Sequence, residues 1–113
     1  GLNGLSDFSH VVVIFHMHHA AFDPKTDLIR RPRGRLDMPL SGIFAQRARH
    51  RPNPIGITAV KLLKINGNVL KIRGLDAVDG TPVLDIKPYT PEFDRVENAA
   101  VPGWMERLMK GYF

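Results

Sequence analysis

The sequence predicts an all-β domain, mainly an antiparallel barrel, with a short C-terminal helix and a long loop. Three features carry that expectation: an Asn-Gly hairpin signal at mid-chain, β-branched apolar runs on either side of it, and a helical apolar pattern only in the last dozen residues. VVVIFHMH (Val11 to His18) is apolar until its end, as in a strand buried on both faces. Residues 20 to 42 hold Pro24, Pro32, Gly34, Pro39 and Gly42 without periodicity, which makes them the long loop. GIFAQR (Gly42 to Arg47) reads as a short strand entering a second proline-rich turn. ITAVKLLKI (Ile57 to Ile65), Asn66-Gly67-Asn68 and VLKIRGL (Val69 to Leu75) form a hairpin, because Asn-Gly supplies the positive φ of a tight turn and both flanks alternate. TPVLDIKPY (Thr81 to Tyr89) is a further strand, with Val83, Asp85 and Lys87 on one face and Leu84 and Ile86 on the other. Pro88 lacks a ladder donor, so that strand ends there or lies at an edge. The last segment is a short helix with Pro102 near its first turn, Gly111 as its stop, and Trp104, Met105 and Leu108 on its buried face.

A chain of 113 residues suits one domain, and 43% hydrophobic with 24% charged residues argues against disorder. No apolar run reaches 18 residues, so no membrane partner is expected. The start shows no signal-peptide pattern, and the absence of cysteine excludes disulfides and thiolate chemistry; both fit a cytoplasmic protein. Charge is more telling, because the net +5 is unevenly spread. Seven of ten arginines lie between Arg30 and Arg51, where Asp37 is the only acid. Such a stretch either steers a polyanion or forms a solvated loop paired with the acidic segment from Asp76 to Glu97.

Three stretches are candidates for chemistry. In HMHH (16 to 19), His16 and His18 share one face of a strand, a spacing suited to two metal ligands with His50 as a third. No carboxylate sits at a matching spacing, and no metal is expected. In RARHRPNPIG (47 to 56), Pro52 and Pro54 stiffen the turn that presents Asn53, and Gly56 lets another chain or a ligand approach the backbone. In LDAVDGTPVLDIKPY (75 to 89), Asp79-Gly80 marks a turn, while Asp76, Asp79 and Asp85 together suit a cleft accepting hydrogen bonds from a ribose diol or an ammonium group. No Walker lysine motif, no GxGxxG and no nucleophile setting is present.

FSHVVVIFHMH, GIFAQRARHRPNPIG and LDAVDGTPVLDIKPYTPEFD, in this order, closely resemble the TsaA-like (TrmO-type) tRNA methyltransferases, and these blocks cover about half of the chain. The resemblance implies an enzyme that uses S-adenosylmethionine to methylate N6 of threonylcarbamoyladenosine, next to the anticodon of threonine tRNA. It further implies a β-barrel and a homodimer with the cofactor near its interface. Carried over position by position, the cofactor contacts are His16, Met17, Arg47, Ile57, Val78, Asp79, Gly80 and Thr81. Arg49, Arg51, Lys87 and the Arg30 to Arg35 cluster are then left for phosphates, and Tyr89 or His50 for the base. No catalytic base is singled out; Asp76, Asp85 and a histidine all qualify.

Relatives carry an N-terminal portion ahead of the FSH block, with early strands and a Pro-Arg-Gln segment that also meets the cofactor. This sequence opens at GLNGLSDFSH, so residues 1–113 are expected to form a single domain lacking that portion, with an open sheet edge. Gln46 and Ala48 replace the small hydroxyl residues common beside Arg47, which removes any hydroxyl contact there. The alternative function is a non-catalytic RNA-binding β-barrel module.

Overall fold

A computed structural model describes residues 1–110; Gly111, the expected helix stop, lies outside the described residues. In chain order the elements are β1 (His10–His16), β2 (Ile29–Arg30), β3 (Ser41–Gly42), β4 (Ile55–Asn66), β5 (Val69–Arg73), β6 (Val83–Pro88), α1 (Pro91–Asp94) and α2 (Gly103–Met109). The chain divides into two compact units: Gly1–His19 with Pro54–Arg95, and Ala20–Asn53 with the stretch from Val96 onward.

The first unit is a four-stranded antiparallel sheet in the order β5-β4-β1-β6. The β-branched run of β1 takes a central place, and Val11, Val12, Val13 and Phe15 are all buried, as a strand apolar on both faces requires. Val11, Val13, Phe15 and Val60 form the core, with Leu62, Ile72, Leu75, Ala77 and Ile86 packed around them. Among the described residues β5 and β6 do not pair, so the sheet is open and the expected barrel is not closed. Four strands are too few: even the five-stranded OB fold closes only partly.

The hairpin forms at the expected place, but its loop is Gly67-Asn68: Asn66 stays in β4 without a positive φ, and Gly67 supplies the positive φ at the first loop position. Asn66 pairs with Val69 across the two-residue loop, and Gly67 takes φ 58°. Two bulges then reset the side-chain alternation. At Leu63 the pairing steps from Leu62–Ile72 to Lys64–Lys71, which returns Ile65 to the face of Leu62. At Leu84 it steps from Ile14–Asp85 to Phe15–Val83. Val83 therefore shares the face of Ile86, not that of Asp85 and Lys87 as simple alternation predicts. Pro88 ends β6, which is an edge strand, in keeping with its missing donor.

Gly56 has a packing reason. It pairs with Phe15, and a Cβ on it would lie 2.4 Å from Phe15 Cζ. The group that approaches this backbone is thus the protein's own buried ring, not a ligand.

In the second unit the strand expected over Gly42–Arg47 stops at Gly42, and Ile43–Ala45 form a 3-10 turn. Its partner β2 offers only two residues, and Ile43 turns inward to be buried. The long loop is not irregular throughout. Asp27, 7% exposed, accepts the Asp23 amide at 2.8 Å and Arg30 Nη1 at 3.0 Å. Arg31 Nη1 donates to the Met38 carbonyl, and the Gln46 amide donates to the carbonyls of Arg30 and Ser41, both at 2.9 Å. Met38 and Ile43 are buried. In α2 Leu108 is buried, with Trp104 and Met105 half-buried, so the apolar stripe lies as its spacing predicts.

Two outcomes follow from this packing. Gly56→Ala forces the buried Phe15 ring to move and should destabilise the protein by about 1–3 kcal/mol in urea unfolding. Phe15→Leu in the same chain should recover part of the loss, and an unchanged midpoint for Gly56→Ala would contradict the contact. Asp27 is held below its ordinary 3.8 by the Asp23 amide first and then by Arg30 and His50. The stability it contributes is complete above that ordinary value and is lost as pH falls through the depressed one. Asp27→Asn should therefore flatten the acid limb of a stability–pH profile, and a limb as steep as in the wild type would contradict this.

Candidate functional site

Three chain segments meet at the C-terminal end of β1. On one side His16 pairs with Ile55, and the Met17 amide donates to the Pro54 carbonyl at 2.8 Å. On the other side the His16 amide donates to the Pro82 carbonyl at 2.9 Å, which places the turn Val78–Thr81 next in the chain. His18 follows in a turn, its amide donating to the His16 carbonyl, so β1 ends two residues before the expected boundary. His16 and His18 do not share one strand.

Side-chain direction sorts the expected contacts. His16 and Ile14 lie on the same face, and Ile57, opposite Ile14, joins them. Met17 packs on the core with Phe15 and so lies on the other face. Ile55 and Ile57 are about half exposed, giving an apolar surface beside His16. His18 Nδ1 is buried without a hydrogen-bond partner among the described residues, and its ring centroid lies 3.8 Å from that of His19.

The turn 78–81 is closed at its ends. The Thr81 amide donates to the Val78 carbonyl at 3.2 Å, and the Thr81 hydroxyl bonds the same carbonyl at 2.5 Å. Gly80 at φ 82° supplies the left-handed third position of such a turn. Thr81 rather than Asp79 makes the side-chain cap, and the exposed Asp79 carboxylate points to no partner among the described residues. A Cβ on Gly80 would meet nothing within 4 Å, so the space over the turn is open.

Asp85 and Lys87 lie further along β6. Lys87 Nζ stands 2.9 Å from Asp85 Oδ2, and the Ile86 amide donates to Asp85 Oδ1 at 2.8 Å. Lys87 first, then that amide, holds the Asp85 carboxyl below the usual range, which keeps it ionised and makes it a weak base. Asp76 is exposed. Tyr89 bonds by its amide to the His10 carbonyl and sets its ring edge-on to His10 at 6.3 Å. His10 and His16 are opposite ends of β1, roughly 20 Å apart at strand rise. Within one chain Tyr89 is therefore not beside the turn 78–81.

The arginine stretch belongs to the second unit and is largely self-engaged. Arg30 pairs with Asp27, and Arg31 bonds a carbonyl. Arg35 grips Asp37 through Nε–Oδ1 at 3.0 Å and Nη2–Oδ2 at 2.7 Å. Arg51 Nη1 donates to the carbonyls of Ile43, Gln46 and Ala48, and Arg33 and Arg47 also engage other groups. Arg49 is exposed. The His50 Nδ1–H donates to the Ala21 carbonyl at 2.7 Å. Among the described residues no three His, Asp or Glu side chains gather to hold a metal. Gln46 and Asp27, which shape this unit, went unread as anchors; for Asp27 the signal was an acid three residues ahead of Arg30.

Comparison with known proteins gives this geometry a lineage. Residues 1–95 match the family model described as the tRNA-methyltransferase O N-terminal domain. A protein of Pyrococcus abyssi named a probable S-adenosyl-L-methionine-binding protein is 48% identical over 107 residues, covering 95% of this chain and 55% of that protein. A human protein named tRNA (adenine(37)-N6)-methyltransferase is 42% identical over 101 residues, covering 89% of this chain and 22% of its own length. The crystal structure of TrmO from Pseudomonas aeruginosa superposes with a TM-score of 0.68 at 40% identity, covering 88% of this chain and 39% of that one. The chain thus spans about half, or less, of the length of these relatives. With the model matched over most of its residues, the chain belongs to the tRNA-methyltransferase O N-terminal domain family.

Proposed function

We propose that this chain binds S-adenosylmethionine at the end of β1 and works as a tRNA methyltransferase on N6 of adenine 37. The observation that carries the reading is the meeting of three segments there: His16 and Met17, the Pro54–Ile57 stretch, and the turn Val78–Thr81. The residues present suit the cofactor. Half-exposed Ile57 and Val78 suit an adenine ring, the unpartnered Asp79 carboxylate suits a ribose hydroxyl or the α-ammonium, and the open space over Gly80 admits a close approach to backbone. The orphaned His18 Nδ1 leaves one further polar atom to be satisfied. Relatives named as binding this cofactor, and others named as adenine-37 N6 methyltransferases, support the same reading.

When bound, the cofactor supplies a sulfonium-activated methyl group, so the protein's task is alignment and exclusion of water. By family resemblance alone, Arg47 is assigned to the methionine carboxylate, and Arg49 and Lys87 to tRNA phosphates. Tyr89, remote from β1's far end, is assigned to tRNA rather than to the reacting base. Loss of the N6 proton calls for a base; Asp85, held low by Lys87, is the weaker choice, which favours Asp76 or a histidine. The threonylcarbamoyl form of adenine 37 on threonine tRNA, a homodimer, a cytoplasmic setting and a barrel completed along the β5 and β6 edges belong to the same proposal by family resemblance. No helix among the described residues is long and apolar enough to cross a membrane.

Calorimetry of the full-length protein with S-adenosylmethionine tests the cofactor, and Asp79→Asn should weaken binding by about tenfold. No heat at near-millimolar cofactor would overturn the reading. Transfer of labelled methyl to threonine tRNA carrying threonylcarbamoyladenosine, and none to tRNA lacking it, is the expected specificity. Cofactor binding with no transfer to any tRNA would instead support the RNA-binding module.

A further inference from the structure

We propose that Arg51 is a positioning residue that orders the 43–49 segment and so aims Arg47 and Arg49 at their ligands. This rests on the reading that Arg47 and Arg49 meet the cofactor and tRNA. The family resemblance leaves Arg51 for phosphate with its neighbours, but its geometry gives it other partners. Its side chain is half-buried, and Nη1 alone faces three carbonyl oxygens: Ile43 at 3.1 Å, Ala48 at 3.4 Å, and Gln46. The two hydrogens of that nitrogen are already shared among more acceptors than they can serve singly, so they are not available to a phosphate.

These three carbonyls are not scattered. Gln46 and Ala48 bracket Arg47, and Ala48 directly precedes Arg49. The Arg51 amide also donates to the Arg49 carbonyl at 2.9 Å, so Arg51 holds the turn from its backbone and from its side chain. The start of the segment is held by the Ile43 amide on the Leu28 carbonyl at 2.9 Å and its middle by the Gln46 side-chain amide on the carbonyls of Arg30 and Ser41, which leaves residues 47–49 to Arg51. A segment of seven residues with no ladder partner is otherwise free to fluctuate, and ordering it on binding costs affinity. A guanidinium inside the turn removes that cost before the ligand arrives. All three carbonyls meet on Nη1, six bonds from Cα; a lysine keeps the charge, but its ammonium is one bond nearer the backbone and off the guanidinium plane, so it does not reach the same point.

Arg51→Lys in the full-length protein separates the two roles. Because charge is conserved, a simple phosphate contact predicts nearly unchanged tRNA affinity. Positioning predicts about a tenfold loss, the scale of losing a charged hydrogen-bond set. It also predicts faster amide hydrogen exchange across 43–49 in the free protein, with exchange in β1 and β4 unchanged. The decisive comparison is the same substitution in an Arg47→Ala, Arg49→Ala background. There the loss should shrink below about twofold, because residues acting as a unit are non-additive. An equal loss in both backgrounds, or an unaltered exchange pattern, would overturn the proposal. Should Arg51→Lys fail to fold, Arg51→Gln carries the same comparison. Failure of the functional reading looks different: the wild type then binds no tRNA, while the exchange pattern still decides whether Arg51 orders the turn.

Discussion

Everything assigned to the sheet unit depends on β1 being held by hydrogen bonds on both sides through its last residue. His16 is the point of constraint, paired with Ile55 on one side and bonded to Pro82 on the other. Burial of Val11, Val13 and Phe15 anchors the strand in the core, and an anchored strand lets its end define a location. The two loops it gathers are each stiffened by other means. Proline precedes β4 at Pro54, and the turn before β6 is closed by Thr81 across Gly80 and followed by Pro82. A small polar or apolar group presented from such a frame needs little reorganisation when a ligand arrives.

The two bulges show how a short sheet reconciles a core with a functional end. Without the extra residue at Leu63, Ile65 would leave the core face. Without the one at Leu84, Val83 would lie on the face of Asp85 and not on that of Phe15. Bulges raise local twist and redirect side chains. Gly56 completes the arrangement by giving Phe15 the space a side chain would occupy. The motif's glycine thus serves the core directly.

Sequence carried the β1 run, the place of the hairpin at Gly67, the edge character at Pro88 and the α2 stripe, because each follows from a local rule: β-branching, positive φ at glycine, a missing donor, helical period. It did not carry the bulges, since period-two reading has no term for an extra residue. It did not carry the end of β3, because strand length depends on how much partner β2 supplies. The arginine stretch was legible as charge, with polyanion steering and acid pairing both open, but its partners within the second unit were not legible. Arg30 and Arg35 meet carboxylates near them in sequence, Asp27 and Asp37, whereas the carbonyl partners of Arg31 and Arg51 follow only from the placement of Met38 and the 43–48 turn. Likewise His16, Ile57 and the 78–81 turn meet at one strand end, whereas Tyr89 lies at the other, a distinction only register can make.

The central claim is that the far end of β1 is where the sulfonium cofactor sits. Amide chemical-shift mapping during titration of the full-length protein with S-adenosylmethionine tests it most directly. The account predicts that, in the sheet unit, the largest shifts cluster at His16, Met17, Ile55–Ile57 and Val78–Pro82. Largest shifts at the His10–Tyr89 end of the sheet, with the His16 end silent, would contradict it.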